Sequence, residues 1–325
     1  MDLVIECKRR PTEQDPFDDD ATHNEPMSDL RQEALGQILS YAELVFRYQQ
    51  RTCVFMLLFL GDCARLLRVD RSGLFATKKF QYAADGGKTL GELLYRYFKL
   101  PDEDRGHDPT ATRIEKSTNL WKAMKKLAER EASDDYVLEM FQKSLSEKWT
   151  WWVLEVPVEQ TKYQSKSSVR KRRFAVAEPN FYAGGVAGRG TRGYVAIEVT
   201  PSNTIMDGVK FVYLKDAWRV YDDDINKEGN ILRTLNDKGV PYIPTLVCHG
   251  DLHEQMTKSQ KLWAKYHPSA EPGQCPLKTH QHYRLVVEEV GKRLDYIQEA
   301  SELITALCCA IIGTSCFVTI YVSVL

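Results

Sequence analysis

The first candidate for chemistry in this sequence is a lysine that ends an apolar run, together with a glutamate further along the chain. Lys215 follows Val212-Tyr213-Leu214, a run typical of a buried strand, and Glu228 opens a segment with apolar residues at helical spacing. An ammonium group at the end of a buried strand is costly to bury alone, and phosphate groups would balance its charge. A helix glutamate that faces the lysine would orient it. The alternatives are a lysine that extends into solvent and a glutamate favoured by the dipole of a first helical turn.

A glycine-rich motif precedes this pair. Residues 188–195, Gly-Arg-Gly-Thr-Arg-Gly-Tyr-Val, fit the pattern G-x-G-x-x-G-x-V. Glycines at these positions let the backbone of a hairpin approach phosphate groups without side-chain clashes. Glycine-rich turns between strands are common, so the motif is a weak signal on its own. The motif, the lysine and the glutamate follow one another in the order found in the small lobe of a kinase-like fold. The candidate nucleotide-binding residues are then Gly188, Gly190, Gly193, Val195, Lys215 and Glu228.

The elements that would position these residues follow from periodicity and turn signals. In the second half of the chain we predict strands at 193–199, 209–215 and 282–290, a helix at about 226–238 and an irregular insertion at 252–280. In the first half we predict a strand at 3–5, a helix at 29–50, a hairpin of strands 53–60 and 64–69, amphipathic helices within 88–98 and 118–147, and a strand at 149–156. The predicted fold class is α+β.

Five stretches carry a family resemblance: RGTRGYVA, VYLKDAWR, KEGNILRTLNDKGVPYIPTL and HYRLVVEEVGKRL, and the earlier block RQEALGQILSYAELVFRYQQRTCVFMLLFLGDCARLLRVDRSG. They are similar to the fungal-type protein kinase family, a divergent group of kinase-like proteins, and the similarity extends from about residue 3 to residue 311. The resemblance implies that Lys215 holds the α- and β-phosphates of ATP and that Glu228 is its partner. It implies that residues 287–290, with Glu288 and Val290, form the interlobe segment beside the adenine. ATP and Mg²⁺ are the cofactors that it implies.

Parts of the kinase machinery have no counterpart in this sequence. No His-Arg-Asp triplet occurs, and no Asp-Phe-Gly-like triplet follows the interlobe segment. Without the catalytic aspartate nothing orients the nucleophile, and without the metal-binding Asn and Asp nothing holds Mg²⁺. We therefore expect no catalytic residues, and a chain truncated before the catalytic loop and inactive in phosphate transfer. His249-Gly250-Asp251 resembles a phosphotransferase loop, but it precedes the interlobe segment and lacks the asparagine that such a loop requires.

The last residues of the sequence form an uncharged segment, 303–325. We interpret it as the beginning of a large-lobe helix followed by off-pattern sequence. The alternative is a membrane anchor, because about 20 apolar residues span a bilayer. The chain would then be a non-catalytic, tail-anchored binding module. Membrane binding is therefore predicted only through this segment.

The composition of the chain bears on which classes of partner and which cellular location we expect. A net charge of -1 gives no general attraction to nucleic acid or to anionic membranes, so we expect no nucleic-acid partner. The partner that the resemblance implies is a nucleotide, and no feature identifies a protein substrate. The eight cysteines contain no C-x-x-C pair, and the N-terminal residues lack the apolar core of a signal peptide. These features indicate an intracellular protein, cytoplasmic or nuclear unless the tail anchors it to a membrane. No metal site is predicted.

The N-terminal part contains a second set of residues that could do chemistry. Glu6 and Lys8 lie on one face of the first predicted strand, and Gln37 and Tyr41 lie one turn apart on the following helix. E-x-K followed by Q-x-x-x-Y is similar to restriction-endonuclease-like domains, which cut phosphodiesters with Mg²⁺. One carboxylate rarely holds that metal, so a remnant of the nuclease fold is favoured over an active nuclease. The alternative without any nuclease relation is a strand with exposed charged ends followed by a core helix.

These interpretations divide the chain into four parts. Residues 1–160 form an α/β domain of restriction-endonuclease-like type, and residues 161–180 form a basic linker within the polar run QTKYQSKSSVRKRR and its continuation. Residues 181–300 form the kinase-like small lobe and hinge. Residues 301–325 form a truncated large-lobe helix or apolar tail, and the large lobe is expected to be missing.

Overall fold

The structure is a computed structural model that describes residues 2–19, 28–130, 135–159, 170–206, 208–271, 273–297 and 299–322, without the side chains of residues 253 and 316–322. Two sheets and the helices packed on them build the described part of the chain, which confirms the α+β class. The restriction-endonuclease-like type of the first part and the missing large lobe stay predictions.

The smaller sheet is built by N-terminal residues around helix α1 (Asp29–Tyr48). Its strands are β1 Leu3–Lys8, β2 Cys53–Leu60, β3 Cys63–Asp70, β4 Gly73–Ala76 and β5 Phe80–Gln81. Strands β1 and β2 are parallel because α1 lies between them in the chain, and β2 and β3 form the predicted hairpin. The apolar stripe of α1, which includes Ile38, Ala42 and Phe46, packs on the buried side chains of β2.

Three helices and two strands follow: α2 Lys88–Lys99, β6 Ala111–Ile114, α3 Asn119–Ala128, α4 Tyr136–Ser144 and β7 Trp151–Pro157. Side-chain caps fix where α3 and α4 begin. The Thr118 hydroxyl accepts a hydrogen bond from the Trp121 N–H at 3.2 Å. The Asp135 carboxylate accepts from the Val137 and Leu138 N–H groups, each at 3.0 Å. The predicted helical region 118–147 therefore contains two separately capped helices.

The larger sheet contains most of the remaining strands in the order β12-β13-β11-β10-β8-β7-β6, with β9 beside β10. Its further strands are β8 Lys171–Val176, β9 Phe181–Tyr182, β10 Arg192–Val199, β11 Phe211–Val220, β12 Leu246–Met256 and β13 His280–Val287. The C-terminal helices are α5 Glu228–Asp237, α6 Ser259–Tyr266 and α7 Ala300–Val322, with a short 3₁₀ turn at Leu294–Tyr296.

Two segments differ from the prediction. Residues 171–176, predicted as linker, form strand β8 in the middle of the larger sheet. The basic side chains that suggested a linker are paired there: Lys171 Nζ lies 2.8 Å from Glu155 Oε2, and Arg172 Nη2 lies 2.6 Å from Glu198 Oε2. The insertion predicted at 252–280 contains the end of β12 and all of α6.

The predicted boundary at residue 160 lies between β7 and β8, which are neighbours in the larger sheet. The first predicted part therefore contributes strands β6 and β7 to the sheet that holds the kinase-like strands. Residues 160–169 of the predicted linker lie outside the described residues.

The larger sheet curves so strongly that β7 approaches β12 from the other end of the strand order. The Glu159 N–H donates to the His249 carbonyl at 2.9 Å, and a Cβ added to Gly250 would lie 2.7 Å from Pro157 Cβ. Alternate residues of nearly every strand consequently point into a closed interior, which holds Leu154, Val156, Phe174, Val176, Tyr194, Ala196, Leu214, Cys248 and Val286. The other face carries α3, α4 and α5.

Within the described residues, no helix combines the length and the apolar character that crossing a membrane requires.

Candidate nucleotide site

Lys215 lies on β11 and Glu228 is the first residue of α5, and their side chains meet. Lys215 Nζ lies 2.6 Å from Glu228 Oε2, and the two side chains keep 26% and 47% of their surface exposed. The pairing predicted from the sequence is confirmed. The nucleotide-binding role of the pair stays a prediction.

The pair lines a cleft of about 690 Å³ on the outer face of the larger sheet. The other lining residues are Phe181, Ala183, Arg189, Thr191, Tyr213, Leu232, Pro244, Leu285 and Val287. Arg189 adds a second cation to a cleft whose walls are mainly apolar. Sequence reasoning did not select Arg189, because it occupies a variable position of the glycine motif, where the pattern carries no information about the side chain.

The glycine-rich segment connects β9 to β10 as a hairpin, and Arg71 from the turn after β3 clamps it to the smaller sheet. Arg71 Nη1 donates to the carbonyl oxygens of Gly185 and Val186 at 3.0 and 3.1 Å. The Arg71 carbonyl accepts from the Gly188 N–H at 2.8 Å. Gly190 packs so closely that an added Cβ would lie 2.3 Å from Arg71 Cζ. Gly190 therefore serves close contact with Arg71, and Gly188 contributes a backbone hydrogen bond to it.

Arg71 is buried, and its guanidinium lies 4.2 Å above the centre of the Phe46 ring. Burial, together with the positive charge of Arg192, lowers the pKa of Arg71 to about 10. The group is nevertheless charged at neutral pH. Because the carbonyl groups that it binds lie more than a hundred residues away in the chain, no local sequence pattern could identify this clamp.

Gly193 faces Lys215 in the register of β10 and β11 and lies beneath Tyr213. An added Cβ at Gly193 would lie 1.7 Å from the Tyr213 hydroxyl oxygen. The absence of a side chain at this position is therefore explained by the packing of Tyr213.

The remaining candidates do not line the cleft. Val195 and Val290 are 1% and 4% exposed and belong to the core between the sheet and helices α3 and α4. Glu288 lines a different groove, together with Arg172 and Glu198. The structure thus brings Lys215 and Glu228 together beside the glycine hairpin and separates Val195, Val290 and Glu288 from them.

Helix α5 is held in place by ion pairs just before its first turn. Lys227 Nζ lies 2.9 Å from Asp251 Oδ2 and also contacts Glu159. Arg219 binds both oxygens of Asp251, each at 2.8 Å. Burial alone would raise the pKa of Asp251, but hydrogen bonds from Arg219 and Lys227 lower it below its usual value. Asp251 of the His-Gly-Asp stretch therefore anchors the residue that precedes Glu228.

His249, the first residue of that stretch, lies under α5. Its ring would be 2.1 Å from a Cβ added to Gly229, so only glycine fits in the helix at this point. Its Nε2 accepts from Arg233 Nη2 at 2.9 Å, since a guanidinium can only donate. Burial, aided by the positive charges of Arg233 and Lys227, lowers the pKa of His249 to about 4. The contact fixes α5, and with it Glu228, against β12.

The opposite face of β11 carries a buried ionic network around Asp216. Its carboxylate accepts from Arg192 Nη2 at 2.6 Å and contacts His282 Nε2 at 2.5 Å. Arg284 Nε lies 3.3 Å from Asp216 Oδ1, and Arg284 Nη2 lies 2.6 Å from Asp108 Oδ2. Burial alone would raise the pKa of Asp216, but the charges of His282, Arg284 and Arg192 hold it well below its usual value.

The second set of candidates also comes together, at the smaller sheet. Lys8 Nζ lies 2.7 Å from Glu6 Oε1 and contacts Gln37 Oε1. Tyr41 and Glu6 line one apolar groove beside α1. Glu6 is the one carboxylate in this set. The nuclease-like interpretation stays a prediction.

Within the described part of the chain, no group of three or more His, Cys, Asp or Glu side chains is arranged to hold a metal ion. Glu228, the carboxylate that lines the cleft, is paired with Lys215. The cleft therefore offers cations for phosphate groups but does not fit a resident Mg²⁺ ion.

A family model described as fungal protein kinase matches residues 20–319. The chain belongs to the fungal protein kinase family. No curated protein and no solved structure matches it. The family uses ATP and Mg²⁺ in general, and protein kinases act on nucleotides and protein substrates.

Proposed function

We propose that this chain binds the phosphate groups of a nucleoside triphosphate in the cleft beside α5, and that these 325 residues by themselves transfer no phosphate. The observation that carries the proposal is the ion pair of Lys215 and Glu228, with Nζ 2.6 Å from Oε2, on the wall of a cleft of about 690 Å³. Membership of a kinase family supports it, because kinases place such a lysine against the α- and β-phosphates.

The charges of the cleft suit an anion. Lys215 and Arg189 both line it, and Glu228 neutralises one of the two cations. Each charge-assisted hydrogen bond to phosphate contributes modestly in a site open to water. Two such contacts support dissociation constants on the order of 0.1–1 mM.

The absence of transfer is proposed from the residues that would perform it. The sequence has no His-Arg-Asp triplet to orient a nucleophile. The described carboxylates offer no cluster for Mg²⁺, so a metal would be bound mainly by the nucleotide's own phosphates. No transfer step is therefore assigned to this chain.

The proposal is tested by titrating tripolyphosphate and ATP into the purified chain in a calorimeter at low ionic strength. Lys215→Met should weaken tripolyphosphate binding about tenfold or more, because one strong cationic contact is lost. Lys210→Met is the matched control, since Lys210 is an exposed lysine immediately before β11 and outside the cleft.

Equal binding by the wild-type chain and the Lys215→Met variant would place the phosphate elsewhere and overturn the proposal. The absence of transfer is tested with ATP labelled at the γ-phosphate and a mixture of acceptor peptides. If the wild-type chain labels a peptide and the Lys215→Met variant does not, the chain transfers phosphate. That result would contradict the proposal that these residues transfer none.

A further inference from the structure

Helix α4 covers the part of the larger sheet that continues from the open cleft. Phe141 and Leu138 of this helix lie in one buried core with Val195 of β10. The Phe141 ring centre lies 4.9 Å from that of Phe211 on β11. Asn180 links helix and strand, because its Nδ2 donates to the Met140 carbonyl at 3.2 Å and its Oδ1 accepts from the Val195 N–H at 2.9 Å.

The same helix reaches the segment after β13. The hydroxyl of Tyr136, the first residue of α4, donates to the Val290 carbonyl at 2.6 Å. Val290 is 4% exposed and shares the core of α3 and α4, whereas Val287 lines the open cleft. Tyr213 spans the two regions, since it lines the cleft and also packs against that core. The covered region therefore begins where the phosphate cleft ends.

A nucleobase bound at this place would need two things: a flat apolar surface between the sheet and the interlobe segment, and backbone groups that pair with its polar edge. Helix α4 already occupies this apolar surface and already pairs with one of the backbone groups. Its apolar side chains fill the surface above Val195, and the Tyr136 hydroxyl satisfies the Val290 carbonyl.

We infer that helix α4 is an internal occupant of the nucleobase position, with the Tyr136 hydroxyl in place of a nucleobase hydrogen-bond donor. The open cleft then accepts phosphate groups and excludes a purine as long as α4 is docked. The inference rests on the proposed function, because it assigns the ligand class of the same cleft: free polyphosphate or the phosphate end of a ligand, without contact to the base.

Displacing α4 would expose side chains that are now buried, among them Phe141 at 0% and Leu138 at 4% exposure. Exposing one large apolar side chain weakens a coupled binding equilibrium about ten- to a hundredfold. The adenine ring should consequently add nothing to binding in the wild-type chain. ATP and tripolyphosphate are expected to bind with the same affinity within about threefold, since both offer a triphosphate to the same two cations.

The test compares the two ligands by calorimetry in the wild-type chain and in the Tyr136→Phe variant. This substitution removes the hydroxyl from a residue at the rim of the core and frees the Val290 carbonyl. ATP binding should become about three- to tenfold tighter in the variant, while tripolyphosphate binding stays unchanged. Tyr97→Phe is the matched control, because the Tyr97 hydroxyl makes a bond of the same length, 2.6 Å, to the Asp2 carbonyl outside the cleft.

The outcomes separate this inference from the proposed function. If tripolyphosphate binds and depends on Lys215, but ATP binds more than tenfold tighter than tripolyphosphate in the wild-type chain, α4 is no obstacle to the base and the inference fails alone. Tyr136→Phe with unchanged ATP affinity has the same meaning. If tripolyphosphate does not bind at all, the phosphate site fails, and a gain of ATP binding in Tyr136→Phe would still support the role of α4.

Hydrogen exchange gives a second measurement that needs no variant. Near-saturating ATP and tripolyphosphate should both leave the exchange of backbone amides in residues 137–144 unchanged, because α4 stays docked and the base stays outside. Faster exchange with ATP alone would mean that the base displaces α4 in the wild-type chain, against the exclusion that we infer. Slower exchange of α4 with ATP would mean that the helix and the base bind side by side, and it would overturn the inference.

Discussion

Two adjacent residues of strand β11 illustrate how differently the two faces of the larger sheet use charge. Lys215 points outward into a cleft and forms an ion pair that is partly exposed to water. Asp216 points inward and is 1% exposed, and three cationic or ring nitrogen partners surround its carboxylate. Lys215 can exchange Glu228 for a ligand at a small cost in free energy. The inner carboxylate has no such freedom, because any change leaves buried charges without a partner.

This difference separates the residues that stabilise the fold from those that are available for binding. Exposed ion pairs contribute little to stability, whereas loss of one member of a buried network is strongly destabilising. The comparison therefore predicts large stability effects on the inner face, small stability effects on the outer face, and the reverse order for phosphate binding.

The largest effect is expected for Asp216→Ala. The substitution leaves Arg192 and Arg284 buried without their shared carboxylate and should lower the free energy of unfolding by about 3–5 kcal/mol. Urea unfolding monitored by circular dichroism measures the loss. Asp223→Ala, at an exposed position shortly after β11, serves as the control and should stay within about 0.5 kcal/mol of wild type. A loss below about 1 kcal/mol for Asp216→Ala would remove the distinction between the two faces.

Gly193→Ala should have the next largest effect. The new methyl group would overlap the Tyr213 hydroxyl, and overpacking of this kind costs about 1–3 kcal/mol. Tyr213→Phe in the same chain should recover only part of that loss, because it removes the nearest atom but leaves the ring carbon Cζ 2.5 Å from the methyl group. Urea unfolding of the two single variants and the double variant gives the coupling free energy. Additive losses would show that Tyr213 is not the residue that requires glycine at position 193.

The pH dependence of stability should report His249. Its pKa is about 4 in the folded chain and about 6.5 when unfolded, so the unfolded state binds more protons between these values. The contribution of His249 to the free energy of unfolding is therefore fully present above pH 6.5 and is lost as the pH falls towards 4. At pH 5 the loss should be about 1–2 kcal/mol. His249→Phe should flatten the decrease measured by urea unfolding from pH 7.5 to 5. A variant with the wild-type slope would assign the decrease to other groups.

Lys215→Met should have the smallest effect on stability. It breaks an ion pair whose two members are 26% and 47% exposed, so the free energy of unfolding should change by less than about 1 kcal/mol. The same variant is expected to lose phosphate binding. Urea unfolding and the tripolyphosphate titration measure the two quantities on one preparation. A loss of 3 kcal/mol or more would mean that Lys215 belongs with the buried charges of the inner face.

The sequence was sufficient for the pairing of Lys215 with Glu228, because both residues belong to local patterns, a strand end and a first helical turn, whose order and spacing fit a known arrangement. It was also sufficient for α1 and for the hairpin of β2 and β3, where periodicity and a Gly-Asp turn agree. The predicted strands and helices were likewise sufficient for the α+β class.

The covering of Val195 by α4 could not be predicted in the same way. The apolar spacing of 136–145 shows that one face of a helix is buried, but periodicity does not say which surface buries it. Strand β8 was missed for a different reason. Its basic residues are typical of a solvated linker unless their partners Glu155 and Glu198 on neighbouring strands are known. The Arg71 clamp likewise depends on contacts that sequence spacing does not encode.

The closed interior of the larger sheet sets an order of events during synthesis. Asp108 precedes its partner Arg284 by 176 residues, so at 5–20 residues per second its carboxylate waits about 10–35 s for that guanidinium to leave the ribosome. The smaller sheet, whose last strand ends at Gln81, can form during this interval. Strands β6 and β7 meanwhile keep apolar surface in water until β13 arrives. The nascent chain should therefore depend on holding factors most strongly in that interval.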